Sequence, residues 1–163
     1  MTGTILQINI SPGGIPKRPI PEATVTIEGV RGDSWAHPDI HGGPNQALLI
    51  ITSEGLDELA AQGFGVYSGA LGENLTTRGL DRRQLRVGQR FRAGDVMFEL
   101  TKRRAPCATL NVYPGIQKAI FDEKMKAHDP SSPFWGLSGM YARILKPGTI
   151  RQHDIISLVD QVV

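Results

Sequence analysis

The sequence contains a single cysteine, Cys107, among its 163 residues. One thiol excludes a disulfide within the chain, and it excludes a four-cysteine zinc site or an iron–sulfur cluster held by this chain alone. Proteins of the reducing cytoplasm seldom depend on disulfides. We therefore expect a cytoplasmic location.

Aromatic residues, strong net charge and long apolar runs are also scarce. Phe, Trp and Tyr make up 6% of the residues, and 18 Lys plus Arg against 16 Asp plus Glu leave a formal net charge of +2. These values argue against a nucleic-acid partner, which needs a basic surface or stacking aromatics. The longest uninterrupted apolar run, Ala47 to Ile51, is far shorter than the ~20 residues that span a bilayer. We expect neither a membrane partner nor a secretory signal.

Glycine and proline, by contrast, are abundant. The 19 Gly and 11 Pro make up about 18% of the chain, against a usual ~12%. Frequent turns favour many short strands over long helices. Alternating or β-branched apolar patterns predict strands at 4–10, 23–29, 47–52, 74–77, 90–93, 96–101, 140–145 and 155–159. Helical spacing predicts helices at 54–62, with Ser53 as the N-cap and Gly63 beyond the end, and at 116–127.

These elements predict one domain over residues 1–163, a β-barrel-like fold with helical decoration. The stretch from Arg31 to Asn45 has no periodicity and is rich in glycine and proline. It is predicted to be a long polar loop, and such loops inside a compact domain are often functional.

Cys107 is the first candidate site residue, because it follows a run of cations. Lys102, Arg103 and Arg104 precede it by a few positions. Nearby positive charge favours the thiolate, the form that attacks electrophiles and binds soft metals. The alternative interpretation is a small hydrophobic residue buried in the core.

Two histidines in the long loop form the second candidate. His37 and His41 have the i, i+4 spacing of a helical zinc pair, but Pro38 lies between them and prevents a shared helical face. A better hypothesis is that His41, Gly42 and Gly43 form a turn whose bare backbone approaches a ligand. An ordinary tight turn is the alternative.

The remaining candidates are polar residues near glycine-rich turns. Lys17 and Arg18 follow a Pro-Gly-Gly turn and could hold a phosphate, although they could equally lie on a solvated loop. Glu73 and Asn74 could cap a turn or bind a polar ligand. No P-loop and no dinucleotide-binding fingerprint is present. Trp135 is interpreted as a core anchor.

Six segments follow one another in an order that resembles a known family. They are 29–33 (GVRGD), 41–47 (HGGPNQA), 69–76 (GALGENLT), 87–91 (VGQRF), 104–107 (RAPC) and 139–148 (GMYARILKPG). No single segment is specific, but the ordered set, which includes Pro-Cys, resembles the MOSC domain. The family takes its name from the C-terminal domain of molybdenum cofactor sulfurases, and the resemblance runs from about Thr4 to Val159.

The resemblance implies a fold and a cofactor site. The implied fold is mainly β, a barrel-like mixed β-sheet with a few short helices that binds the molybdenum–molybdopterin cofactor. Cys107 matches the family's Pro-Cys and is implied to be the molybdenum ligand or a site of sulfur transfer. Arg104 and Lys17 are implied to hold the pterin phosphate. The residues implied to line the pterin pocket are His41, Gly42, Gly43, Asn74 and Thr76.

The resemblance leaves two functions open beside a non-catalytic β-domain. In the first, the chain is an oxidoreductase that reduces small N-hydroxylated substrates and takes electrons from a separate reductase or electron-transfer protein. In the second, it carries sulfur as a Cys107 persulfide, or carries the cofactor itself, without redox turnover. A carrier would require a separate cysteine desulfurase, because we expect no room for a desulfurase domain in this chain.

Overall fold

The computed structural model describes residues 1–34 and 43–160. The strands are β1 (Thr2–Ile10), β2 (Arg18–Ile20), β3 (Glu22–Thr26), β4 (Gly29–Val30), β5 (Leu48–Thr52), β6 (Leu75–Arg78), β7 (Arg90–Ala93), β8 (Val96–Arg103), β9 (Met140–Lys146), β10 (Gly148–Arg151) and β11 (Ile155–Asp160). The helices are α1 (Ser53–Ala61), α2 (Ile116–Ile120) and α3 (Glu123–Lys126). Within the described residues, no helix has the length and apolar character needed to cross a membrane.

Seven strands form a closed barrel. Their order is β11-β7-β8-β9-β5-β6-β1, and β1 also pairs with β11 and so closes the sheet on itself. The pairing of β5 with β6 is parallel and the other pairings are antiparallel, while β2 extends the sheet beyond β1. Strands β10, β3 and β4 form a second, smaller sheet. The expectation of a mainly β, mixed, barrel-like fold with a few short helices is confirmed.

The hairpin of β7 and β8 shows how local sequence builds the barrel. The strands flank Gly94 and Asp95 as predicted, and Gly94 adopts a positive φ of 55°. Alternation along β8 places Phe98 inside the barrel, where it stacks on Phe91 with ring centroids 5.9 Å apart. Side chains of successive strand residues point to opposite faces, so this alternation keeps one face of β8 apolar.

Helix α1 makes the parallel pairing of β5 with β6 possible, because parallel neighbours need a crossover connection. The predicted N-cap was wrong by one residue. Thr52 is the N-cap, and its side-chain oxygen accepts a hydrogen bond from Gly55 N at 3.1 Å, whereas Ser53 is the first helical residue. Gly63 follows the helix with a φ of 97°, as predicted for a C-terminal glycine.

The predicted helix at 116–127 is two short helices. Asp122 adopts an extended conformation between α2 and α3, and its carboxylate accepts a hydrogen bond from Met125 N at 2.8 Å. An aspartate in that role starts a new helix, so a cap inside the periodic stretch divides it.

The buried apolar residues form two cores. The barrel core fills the interior of the barrel and includes Phe91, Phe98 and Leu100. The second core lies between α1, α2 and the loops that follow β8, and it includes Leu110 and Ile116. The second core supports the segment that carries Cys107.

Candidate functional site

Cys107 lies at the end of the segment that leaves β8. It is half-buried and precedes a short 3₁₀ helix, Ala108–Val112. Its side chain packs against the second core, and its carbonyl oxygen accepts a hydrogen bond from Gln117 Nε2 at 2.8 Å. The thiol therefore has a fixed backbone and a partly accessible side chain.

The surroundings of Cys107 favour its ionised form. Burial is the largest single influence and raises the pKa, but it is outweighed by groups that stabilise the thiolate. These are the Thr109 hydroxyl, the positive charge of Arg104, and the backbone N–H groups of Thr109 and Leu110. The net result is a pKa below the ordinary value for a thiol, as the basic run in the sequence suggested.

A cleft opens beside this segment. Its lining includes Lys17, Gln46, Asn74, Arg104, Thr109 and Tyr141. Cys107 is not part of the lining, but Arg104 and Thr109, which flank it in sequence, are. The cleft therefore combines amide, hydroxyl and cationic groups next to the one thiol.

Arg104 is one of two buried cations that line this cleft, with Lys17. Its side chain is 5% exposed, its Nη1 donates a hydrogen bond to the carbonyl oxygen of Leu71, and the guanidinium also hydrogen-bonds with Tyr141. The Nε atom is buried and has no hydrogen-bond partner among the described residues. A buried donor without a partner is costly, so an acceptor from a ligand would improve the site.

Lys17 is tied to a carboxylate that the sequence analysis did not place at this cleft. Its Nζ lies 2.5 Å from Asp33 Oδ2, and both side chains are buried. Burial lowers the pKa of Lys17, and the nearby charge of Asp33 opposes that effect. Asn74 Nδ2 donates to the same Asp33 oxygen at 2.8 Å, so the carboxylate joins two predicted site residues.

Thr76 and Glu73 lie beneath the cleft. Thr76 is fully buried, accepts a hydrogen bond from Asn9 Nδ2 at 3.2 Å and donates one to Glu73 Oε2 at 3.0 Å. Burial raises the pKa of Glu73 to about 7, although backbone N–H groups, Thr76 and Arg104 act in the opposite direction. Thr76 thus contacts the polar network under the cleft, not the cleft itself.

Gly43 is exposed, has a φ of 83° and borders a separate depression beside Asp33. His37, His41 and Gly42 lie outside the described residues, so their assignments stay predictions. Within residues 1–34 and 43–160, no three His, Cys, Asp or Glu side chains come together as a metal site.

Sequence reasoning gave no role to Gln46, Thr109 and Tyr141, which line the cleft, or to Asp33, which hydrogen-bonds to two of the lining residues. Gln46 and Tyr141 lie in segments that carried the resemblance, so a signal existed but gave no role to either. Asp33 was noted only as a neighbour of the histidines. The Oε1 atom of Gln46 is buried without a partner among the described residues, which gives the cleft an unused acceptor beside the unused donor of Arg104.

A family model for the MOSC domain matches residues 37–157. The chain belongs to the MOSC domain family. MOSC domains are associated with the molybdenum cofactor.

Curated relatives of this MOSC chain include two bacterial proteins and one fungal protein. It is 28% identical to uncharacterized protein YflK of Bacillus subtilis over 141 residues, and 33% identical to protein YiiM of Escherichia coli over 96 residues. These matches cover 84% and 56% of the chain, and 59% and 43% of the relatives. A protein of Gibberella moniliformis named "Reductase" is 29% identical over 82% of the chain and 23% of its own length. The chain thus spans well under two thirds of each of these relatives.

Solved structures share the fold. The crystal structure of YiiM from Escherichia coli matches with a TM-score of 0.71 and 21% identity, over 98% of this chain and 71% of that one. YiiM from Geobacillus stearothermophilus matches with a TM-score of 0.73 and 24% identity, over 97% and 75%. These likenesses confirm the barrel architecture.

The residues at the cleft fit the molybdenum–molybdopterin group. The unpartnered Nε of Arg104 suits a phosphate oxygen, and the unpartnered Oε1 of Gln46 suits an N–H group of a pterin ring. Cys107 offers one soft anionic donor, which suits a metal whose other soft donors come from the dithiolene of the cofactor.

Proposed function

We propose that this MOSC chain binds the molybdenum cofactor in the cleft and reduces small N-hydroxylated compounds to the corresponding amine and water. The supporting observation is the pairing of a lowered thiol pKa at Cys107 with the buried, incompletely bonded Arg104 next to it. A thiolate and a cation within one short segment are the two groups that a metal-bearing, phosphorylated ligand requires.

Each residue has a distinct role in this proposal. Cys107 is the protein ligand to molybdenum. Arg104 holds the cofactor phosphate, with Lys17 as a second cation whose charge is shared with Asp33. Asn74 and Gln46 orient the pterin ring, while His41, Gly42 and Gly43 border it. Thr76 acts from below through its hydrogen bond to Glu73.

The overall reaction breaks the N–O bond of the substrate and consumes two electrons and two protons. When bound, the cofactor supplies two-electron oxygen-atom transfer. The protein holds the cofactor, and the half-buried position of Cys107 limits access of water to its sulfur. We propose that a separate reductase or electron-transfer protein delivers the electrons.

The test uses the protein made in a host that synthesises the cofactor. We expect the purified wild type to contain molybdenum and pterin, and to reduce N-hydroxyadenine with a chemical electron donor. Cys107→Ser is expected to lose turnover and at least about tenfold in molybdenum retention, since even residues that only support a metal ligand cost that much. Arg92→Gln on the exposed face of β7 is the matched control and should behave as the wild type. A molybdenum-loaded wild type without turnover would contradict the reductase proposal.

A sulfur-carrier function is the second candidate, and one observation favours it. The lowered pKa of Cys107 serves a persulfide as well as a metal ligand, because the thiolate is the sulfur acceptor. Mass spectrometry of gently purified protein separates the two. A persulfide on Cys107 with no bound molybdenum supports the carrier and requires a cysteine desulfurase as the sulfur donor.

A further inference from the structure

A basic groove lies next to the same segment but apart from the cleft. It is lined by Arg86, Gln89, Lys102, Arg103, His128 and Trp135, together with neighbouring apolar and hydroxyl side chains. The basic groove shares no lining residue with the cleft. Arg103 lines the groove whereas Arg104 lines the cleft, so the segment that leaves β8 contributes to both sites.

Arg103 is a buried cation that forms no hydrogen bond or ion pair through its side chain within residues 1–34 and 43–160. Its side chain is 8% exposed, and its guanidinium lies 5.6 Å from the ring centroid of Phe121. Its Nε atom is buried and makes no hydrogen bond within the described part of the chain. Burial lowers the pKa of Arg103, with no nearby carboxylate to offset the effect. A guanidinium keeps its charge in proteins, so this side chain carries one buried donor, Nε–H, that no described residue satisfies.

Two further cations are held at the basic groove. Arg86 is fixed by hydrogen bonds from Nη1 to the carbonyl oxygens of Arg83 at 2.6 Å and Leu85 at 2.9 Å, and it lies over the Trp135 ring. Lys102 lies 5.6 Å from the ring centroid of Tyr141.

The positive charge of this groove is not neutralised locally. Among the described residues, neither Asp nor Glu lines the groove, and none of Arg86, Lys102 and Arg103 forms an ion pair. Three permanent cations without a counter-charge favour a dianion over a singly charged carboxylate.

We propose that the basic groove binds the phosphoryl group of a small molecule, with Arg103 as its principal hydrogen-bond donor. Arg86 and Lys102 supply further positive charge from the walls. The planar guanidinium matches two phosphate oxygens at once, which a lysine ammonium does not. This site is independent of the molybdenum cofactor, because it requires none of the cleft residues.

The experiment is an NMR titration of the full chain with inorganic phosphate at constant ionic strength. The Nε–H resonance of Arg103, assigned by its loss in Arg103→Gln, is expected to shift saturably. For Arg103→Gln, which lacks this signal, binding is followed by the backbone resonances around the groove. We expect the variant to bind phosphate at least about tenfold more weakly, as loss of a charged hydrogen bond does. Lys102→Gln, at an exposed position, should weaken phosphate binding several-fold. This variant tests the proposal if Arg103→Gln does not fold.

The controls separate a built site from general attraction to a basic surface. Arg92→Gln removes one charge outside the groove and should leave phosphate binding unchanged, and acetate should bind much more weakly than phosphate. The proposal is overturned if Arg103 does not respond, if only groups around Arg104 respond, or if Arg92→Gln weakens binding as much as Lys102→Gln.

Discussion

Cys107 and Arg104 are coupled by charge across the two residues that separate them. The guanidinium favours the thiolate, and burial of the sulfur opposes it. Thr109 acts in the same direction as Arg104 from the other side of Cys107. The reactivity of the thiol is therefore set by a balance that one substitution can shift.

Replacing Arg104 with Gln is expected to raise the pKa of Cys107, because the charge that favours the thiolate is removed. The pH profile of alkylation by iodoacetamide measures this directly, since the thiolate is the reacting form. The profile of Arg104→Gln should move to higher pH, and that of Arg92→Gln should match the wild type. Identical profiles for all three proteins would show that Arg104 does not act on the sulfur.

Glu73 gives the folded protein a specific pH dependence. Its pKa is about 7 when folded, against 4.5 for the free side chain. For an acid with a raised folded pKa, the stabilising contribution is complete below pH 4.5 and is lost as the pH rises to 7. Relative to Glu73→Gln, the free energy of unfolding of the wild type should fall by about 3 kcal/mol across that range.

Urea denaturation at pH 4.5, 6 and 8 measures this difference, because the other titrating groups are common to both proteins. The gap between wild type and Glu73→Gln should change up to pH 7 and then stay constant. A gap that is independent of pH would mean that the pKa of Glu73 is the same in the folded and the unfolded protein.

Part of the cleft could be predicted from local chemistry. Cys107 and Arg104 share one short segment whose charge pattern is visible in the sequence. Gln46 and Tyr141 could not be assigned in the same way, because they come together only where the short 3₁₀ helix of Gln46 packs on β9, which carries Tyr141. Leu49 of β5 pairs with Tyr141 of β9, and both line the cleft. Such a register connects positions about ninety residues apart, beyond the range of a periodicity argument.

Substitutions at the start of α1 can test whether Thr52, the observed N-cap, or Ser53, the predicted one, stabilises the helix. Thr52→Val removes the hydroxyl that accepts from Gly55 N and should lower the free energy of unfolding by ~1 kcal/mol. Ser53→Ala keeps that cap and should cost clearly less, even though Ser53 was the predicted cap. Urea denaturation of both variants decides, and a larger loss in Ser53→Ala would contradict the observed helix start.

The positions of strands were easier to predict than the pairings between them. The β7–β8 hairpin follows from alternation and a Gly-Asp turn, both of which are local signals. The division of the predicted helix at 116–127 depends on one side-chain hydrogen bond from Met125 N to Asp122. In the small sheet, β3 and β4 are neighbours in sequence, but β10 pairs with β3 from more than a hundred residues away, so this pairing does not follow from any local pattern.

One apolar core stabilises the barrel, and a second core stabilises the segment that carries Cys107. Leu100 belongs to the barrel core, whereas Leu110 belongs to the second core and lies three residues after Cys107. The Leu110 N–H also donates to the Cys107 carbonyl oxygen at 3.1 Å. The second core therefore holds the segment of Cys107 in place through packing and this hydrogen bond.

Leu110→Ala and Leu100→Ala provide a matched test of this separation. Both side chains are buried, so each truncation should cost ~2–5 kcal/mol. Only Leu110→Ala should also raise the rate of Cys107 alkylation beyond what the loss of stability explains. Equal alkylation rates in the two variants at equal stability would mean that the thiol segment depends on the whole molecule.

The pairing of β1 with β11 has a consequence for biosynthesis. Thr2 pairs with Ser157, so β1 lacks this partner until β11 has been synthesised, although it can already pair with β2 and β6. During translation, residues 2–4 of β1 therefore lack their β11 partner. Unpaired strand edges of this kind favour aggregation. Chaperone binding should be stronger for chains truncated before β11 than for the full chain, because only the full chain can complete the β1–β11 pairing.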